Sequence, residues 1–309
     1  MFRHALPAIL LVLAILAGCR RPAPPPPEPS PRLKLIREIQ QYGESVGFKE
    51  TGSFSRHAPH QGAFYRCYYT GKLELPDSYA GLKLKDGTDE GCNVDEQKYD
   101  VFFYRIEAVA SPDTPATAAL DAASMERLAV VVSHEDFHQQ KAIRRLPPTV
   151  EEASTTLVSF LTAAGYAKSA QGEDSALYRN LSGEADKFLQ KAEIIKRFHG
   201  RLKSLYQNAA AGKTSKAQAV EEKARLFAEL EQACKVTPDP VSFNECPAAM
   251  NNAGLAFDHS YTKHYPLMYR LAASHNQDVS SLWKTLQGLP AKKWSEAEAA
   301  AYLEGLIKR

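Results

Sequence analysis

His134-Glu135-Asp136-Phe137-His138-Gln139, followed after a short gap by Pro147-Pro148-Thr149-Val150-Glu151-Glu152, is the stretch on which the reading of this chain turns. Upstream, Leu120, Met125, Leu128, Val131 and Val132 recur at helical spacings. A helix is therefore expected over Thr117 to Arg145. It stops at Pro147-Pro148, because proline has no backbone N–H to give and its ring clashes with the turn before it. Thr149 to Glu152 opens a second helix with the spacing of a capping box, and Gly165 is expected to end it. Two helices joined by so short a turn run antiparallel, which brings the start of the second back beside the end of the first.

Outward from this pair the pattern stays helical to the C-terminus. Helices are expected over Ser175 to Ala211, Ser215 to Lys235, Asn251 to Ser274, Asp278 to Gln287 and Ser295 to Lys308. Strand character lies on the N-terminal side, in Ala63 to Leu75 and in Tyr99 to Ala110, with Gly81, Gly87 and Gly91 suggesting turns between them. The fold class is α+β, mainly α. A single domain is expected over 33–309, with a small β-containing part at 33–112 and a helical body at 113–309.

The N-terminus sets the compartment. Arg3 and His4 precede an apolar run from Ala5 to Ala17, too short for the roughly 20 residues that span a bilayer. It closes on Leu16-Ala17-Gly18-Cys19, which looks like a lipobox: residues 1–18 are a signal, and Cys19 becomes the lipidated first residue. By resemblance to lipoprotein sorting, in which an aspartate after the cysteine retains the protein in the inner membrane, the non-acidic Arg20 implies the bacterial outer membrane, with the body expected to face the periplasm. Pro22 to Pro31 is an extended spacer, so that residues 19–32 form a tether and the fold starts near Leu33. Cys67, Cys92, Cys234 and Cys246 remain, an even number in an oxidising compartment. Chain order favours Cys67–Cys92 and Cys234–Cys246, although three pairings are open. Lys and Arg total 38 against 36 Asp and Glu, a net charge of +2, so no nucleic-acid partner is expected.

The chemistry sits in the quoted stretch. Residues four apart share a helix face, so His134 and His138 reach one metal ion. A Zn²⁺ ion takes such nitrogens at about 2.0–2.1 Å and needs a third protein ligand plus a water. Glu135 is then the general base for that water. Glu151 and Glu152 both return toward the histidines, and spacing alone does not choose between liganding the metal and capping the helix. Two histidines on a solvated helix face are the bland alternative, as is surface placement for His57 and His60. No glycine-rich phosphate loop and no G-x-S-x-G elbow is present.

The chain resembles the predicted bacterial zinc aminopeptidases, often lipoproteins, which carry H-E-x-x-H-Q and then N-E-S-F-A-T-F-V. Here the counterparts are His134 to Gln139 and Glu151-Glu152-Ala153-Ser154-Thr155-Thr156-Leu157-Val158. Farther on, Asn251-Asn252-Ala253-Gly254-Leu255, Tyr261 and Pro266 follow the family's N-N-A-x-L segment, tyrosine and proline, and Lys223 to Phe227 resembles one of its helices. The resemblance covers about residues 115 to 290. It implies a zincin-like body binding one Zn²⁺ through His134, His138 and Glu152, with a peptide or protein as substrate. It also implies Tyr261, within the cluster His259, Tyr261, His264 and Tyr265, as the donor to the oxyanion. The exposed strand Val101 to Ile106 is expected to dock the peptide backbone. Asp136 and Gln140 are polar where the pattern is uncharged or hydrophobic, and Glu151 stands in for asparagine. The signature that binds a free amino terminus in better-known zinc aminopeptidases is absent, which supports peptidase more firmly than aminopeptidase. These departures motivate the alternative, a catalytically inactive zincin-like scaffold or binding lipoprotein.

Replacing Cys19 with serine is expected to abolish lipid attachment. Metabolic labelling with palmitate is the check, and continued labelling of the variant contradicts the lipobox.

Overall fold

The computed structural model describes residues 31–238, 240, 242–243 and 245–308. The signal, Cys19 and the proline-rich stretch up to residue 30 lie outside the described residues.

Helix α1 (Pro31–Ser45) comes first, at the start of the part expected to hold strands. Its apolar stripe is narrow: only Ile36, Ile39 and Gly43 are buried, against α3 and α4 below. Arg32 donates to the carbonyls of Asp121 (2.9 Å) and Ala123 (2.6 Å), so Pro31 and Arg32 belong to the fold and not to a tether. The strands are β1 (His57–Ala58), β2 (Phe64–Gly71), β3 (Lys83–Asp86), β4 (Tyr99–Ile106) and β5 (Ala116–Thr117). β1 and β5 pair in parallel; the larger sheet is antiparallel in the order β3-β2-β4. Phe64 stands opposite Ile106, and Gly71 opposite Tyr99. β4 is therefore an edge strand. β2 and β4 fall inside the two expected segments. β3 lies where only turns were read, because every residue of it is exposed and no apolar alternation marks it.

The remaining elements are helices α2 (Ala118–Asp121), α3 (Met125–His138), α4 (Pro148–Gln171), α5 (Ala176–Leu181), α6 (Glu184–Ala210), α7 (Lys216–Lys235), α8 (Asn252–Thr262), α9 (Tyr265–Ser274), α10 (Val279–Gln287) and α11 (Glu296–Ile307). With 57% of the structure helical, the class is α+β, mainly α. Several expected helices are broken by caps. Thr117 accepts from the Leu120 N–H and Ser124 from the Arg127 N–H, each at 3.2 Å, which divides the expected Thr117–Arg145 helix into α2, α3 and a 3₁₀ turn at Ile143–Arg145. Ser182-Gly183 separates α5 from α6, and Lys263-His264 separates α8 from α9.

α4 departs from expectation at both ends. Pro147 is its N-cap and Pro148 its first residue, so the expected capping box does not form; Thr149 Oγ1 instead donates to Glu296 (2.9 Å). The helix runs past Gly165 to end at Gly172, whose φ of 86° suits glycine. Gly165 serves a close approach of α1: a Cβ there would lie 2.1 Å from the Tyr42 hydroxyl oxygen. α4 is buried on nearly every side, with Val150, Leu157 and Phe160 packed in the core and Ser154, Thr155 and Thr156 fully buried too. The side of α4 opposite its apolar stripe, which includes Glu152, is thus also inside the protein.

Both favoured disulfides are present, Cys67–Cys92 and Cys234–Cys246. The second ties the end of α7 to the segment leading into α8. α8 connects sheet and helices. Its Phe257 meets Phe102 and Tyr104 of β4 with ring centroids 4.8 Å away in each case. Asn251 caps α8 by accepting from the Gly254 N–H (3.1 Å) and donates to the Val101 carbonyl (2.8 Å). Asn252 donates to the carbonyls of Lys72 (3.1 Å) and Glu74 (3.0 Å). The Asn251-Asn252 pair thus locks the sheet onto α8. Gly254 lets the chain fold back there, since a Cβ would meet the backbone N and O of Ala249 at 2.5 Å. Gly254→Ala is expected to destabilise the protein by about 1–3 kcal/mol. Denaturant unfolding measures it, and an unchanged midpoint contradicts this packing.

Candidate metal centre

His134 and His138 leave the last turns of α3 from one face, and Glu152 leaves α4 just past its first turn toward them. His134 Nε2 lies 3.1 Å from His138 Nε2. Glu152 Oε2 lies 3.2 Å from His138 Nε2 and 3.5 Å from His134 Nε2. Ligand atoms held about 2.0–2.2 Å from a tetrahedral ion are roughly 3.3 Å apart, so the spacing of this buried set suits a metal ion. The expected ligand residues are brought together.

Two partners that the sequence did not reveal orient the set. The Tyr79 hydroxyl donates to Glu152 Oε1 (2.8 Å), which leaves Oε2 facing the histidines. Glu151 Oε1 lies 2.9 Å from His138 Nδ1, so that nitrogen donates its proton in a hydrogen bond to the carboxylate and Nε2 is the atom left facing inward. Glu151 is thus a partner to a candidate ligand, and Glu152 a candidate ligand itself. The electrostatics agree with a site that wants positive charge. Burial opposes a proton on His138, yet Glu152 and Glu151 outweigh it and hold its pKa well above the usual imidazole value. Burial would raise Glu152, but His138 and His134 overcome it and keep the carboxyl below the ordinary range. The carboxylates that favour a proton on His138 equally favour a cation in its place.

Glu135 and Tyr261 line the same cleft as His134 and His138. Burial pushes the Glu135 carboxyl up to about 8, the direction that makes a carboxylate a stronger base. The ring of Tyr261 stands 6.3 Å from that of His134, and burial raises its hydroxyl well above the usual phenol range, so the hydroxyl keeps its proton as a donor. Its neighbours in the sequence cluster do other work. His264 bonds Glu296 (2.5 Å), and Tyr265 is a fully buried core residue donating to the Ala185 carbonyl (3.1 Å). His57 lies in β1, beside Asp121.

The polar departures in the motif point away from the cleft. Asp136 accepts from Thr51 Oγ1 (2.5 Å) and Gln40 Nε2 (3.2 Å). Gln140 accepts from the Lys49 N–H (2.9 Å) and donates to the Lys49 carbonyl (3.0 Å), as a neighbouring strand would. Both side chains fasten α3 to α1 and the loop after it.

A second group, Asp77, His199 and His259, also brings potential ligand atoms together. Its rings are stacked 3.6 Å apart and within 3° of parallel, so their in-plane lone pairs do not converge on one point. Lys203 bonds the Asp77 carboxylate (2.5 Å). His199 and His259 bond the carbonyls of Pro76 (3.0 Å) and Asp77 (2.9 Å), fixing the turn that delivers Tyr79.

Residues 91–301 match the family model Aminopep, described as "Putative aminopeptidase". The chain belongs to this family. The matched span takes in β4, the α3–α4 pair and α8, all the elements that wall the cleft except those carrying Tyr68 and Tyr79. Membership supports peptidase activity on a peptide substrate. No curated protein and no solved structure matches the chain.

Glu152→Gln is expected to abolish tight divalent-metal binding, and Glu151→Gln to weaken it by about 10–100-fold. Equal loss in both contradicts the division of roles. Because His138 holds its proton strongly, metal must displace that proton. Affinity should therefore rise with pH by up to about one decade per unit, measured by competition with a chelator; a flat profile contradicts it.

Proposed function

We propose that this protein is a zinc-dependent peptidase, an aminopeptidase in the sense of its family. Lipid on Cys19 anchors it to the bacterial outer membrane, with its body in the periplasm. The observation that carries the reading is the convergence of His134 Nε2, His138 Nε2 and Glu152 Oε2 at 3.1–3.5 Å beside Glu135 in a walled cleft. Two imidazoles and one carboxylate form a donor set characteristic of catalytic zinc, which keeps its fourth position open.

Zinc bound there would polarise the scissile carbonyl and acidify a water. The chain's own residues do the rest. Glu135, one residue along α3 from His134, accepts the proton of the attacking water and passes it to the departing amine. Tyr261 donates a hydrogen bond to the oxygen on which negative charge develops. Tyr79 and Glu151 keep Glu152 and His138 in their orientations. β4 is an edge strand whose Tyr104 and Ile106, with residues 107–110 that follow it, border the cleft, and an extended peptide pairs with it beside the histidines. That Asp136 and Gln140 have structural partners outside the cleft supports this reading over an inactive scaffold.

Glu135→Gln preserves size and hydrogen bonding but accepts no proton. In the full chain, hydrolysis of a peptide library should fall by at least about two orders of magnitude while zinc content stays unchanged. A variant that holds zinc and cleaves at the parental rate contradicts the mechanism.

A further inference from the structure

The cleft beside His134 has a volume of about 370 Å³, within the range of sites that engulf a small ligand. Beyond the residues assigned to chemistry, its walls are Tyr68, Tyr104, Ile106, Val131, Phe243 and Phe257. Two further charged residues line it, Glu107 and Arg127. Arg127, Val131, His134 and His138 are spaced four, three and four apart, one stripe of α3, so Arg127 faces the same space as the histidines. Each nitrogen of its guanidinium has a partner. Nε and Nη2 donate to the two carboxylate oxygens of Glu107 at 2.7 and 2.9 Å, and Nη1 donates to the Ser242 carbonyl at 3.3 Å.

The adjoining wall at Ser242-Phe243 is held as firmly. Ser242 donates its N–H (2.9 Å) and hydroxyl (2.5 Å) to Glu184, a fully buried carboxylate. Phe243 beside it packs on His134 and Tyr261 with ring centroids 5.7 and 5.6 Å away. Among the described residues, Arg127 is paired with Glu107 and the carboxylates of Glu151 and Glu152 are held by His138, His134 and Tyr79, so the only charge left to meet a substrate side chain is the Glu135 carboxylate that the chemistry uses. Burying a charged substrate side chain unpaired is strongly unfavourable, whereas an aromatic ring packs well against aromatic walls.

We infer that the cleft selects a peptide whose residue flanking the scissile bond carries an uncharged apolar side chain, aromatic best of all, and that Glu107 sets this preference by neutralising Arg127. The inference rests on the peptidase reading for the place of the scissile bond. Without Glu107, Arg127 presents a buried cation on the metal-facing stripe, and the same cleft favours acidic side chains.

The test measures binding, so it stands apart from turnover. Full-length Glu135→Gln protein is titrated with Ala-Phe-Ala-amide, Ala-Asp-Ala-amide and Ala-Lys-Ala-amide in the presence of zinc. The phenylalanine peptide should bind at least about tenfold more tightly than either charged one. Adding Glu107→Gln should move the Asp-to-Phe affinity ratio at least about tenfold toward Asp. Adding Arg127→Met as well should restore the apolar preference, which shows that the shift comes from the released cation and not from a damaged fold. Equal binding of the three peptides, or an unchanged Asp-to-Phe ratio in the Glu107→Gln protein, overturns the inference. A digest by the parental protein reports separately on the peptidase reading.

Discussion

Everything in the cleft depends on the turn at Pro147-Pro148, which sets the first turn of α4 against the last turn of α3. Proline at the first helical position sacrifices no hydrogen bond, because that N–H has no intrahelical partner in any case. The result is that Glu151 and Glu152 arrive beside His138 with both carboxylates facing imidazole nitrogens. Three candidate ligands and one orienting group thus come from two adjacent helix ends. The geometry is local to a pair of helices that pack extensively on each other, and does not rely on a loop.

The rest of the molecule stiffens that pair and closes the space in front of it. α1 grips α3 through Asp136, and Gln140 ties it to the backbone at Lys49, so the motif helix is fixed on the side away from the cleft. α8 brings Tyr261 and, through Phe257, holds the inner face of the sheet. The stacked His199 and His259 secure the turn before Tyr79, which in turn orients Glu152. Buried polar groups of this kind are tolerated because nearly all are paired, and each pairing also fixes an angle that the site needs. His134 Nδ1, Ser133 Oγ and the hydroxyls of Thr155 and Thr156 are exceptions, buried without a hydrogen-bond partner among the described residues.

Much of this was legible in the sequence, for a physical reason. The His134/His138 spacing is set by the helical repeat, and the proline pair marks the turn, so the motif and its partner helix are local features. Spacing does not settle Glu152 over Glu151, and a helical wheel puts Glu152 opposite the apolar stripe of Val150, Leu157 and Leu161. The wheel assumes one buried face, whereas α4 is buried on both. Tyr79 and Glu107 carried no local signal, since each reaches the site across long sequence separations. Arg127 was within reach, because it lies two turns before His134 on the same stripe. The helix breaks at Ser124, Gly183 and His264 were missed because a serine cap or a single turn interrupts apolar spacing too briefly to show in it. α1 was missed because its buried stripe is only three residues wide.

The central claim is that His134, His138 and Glu152 hold one zinc ion. X-ray absorption fine structure of the full-length protein loaded with one equivalent of zinc tests it most directly. The account predicts a first shell of nitrogen and oxygen at about 2.0–2.2 Å, with the outer-shell pattern of two imidazoles and no sulfur. Failure to retain zinc, a sulfur shell near 2.3 Å, or a single imidazole would contradict it.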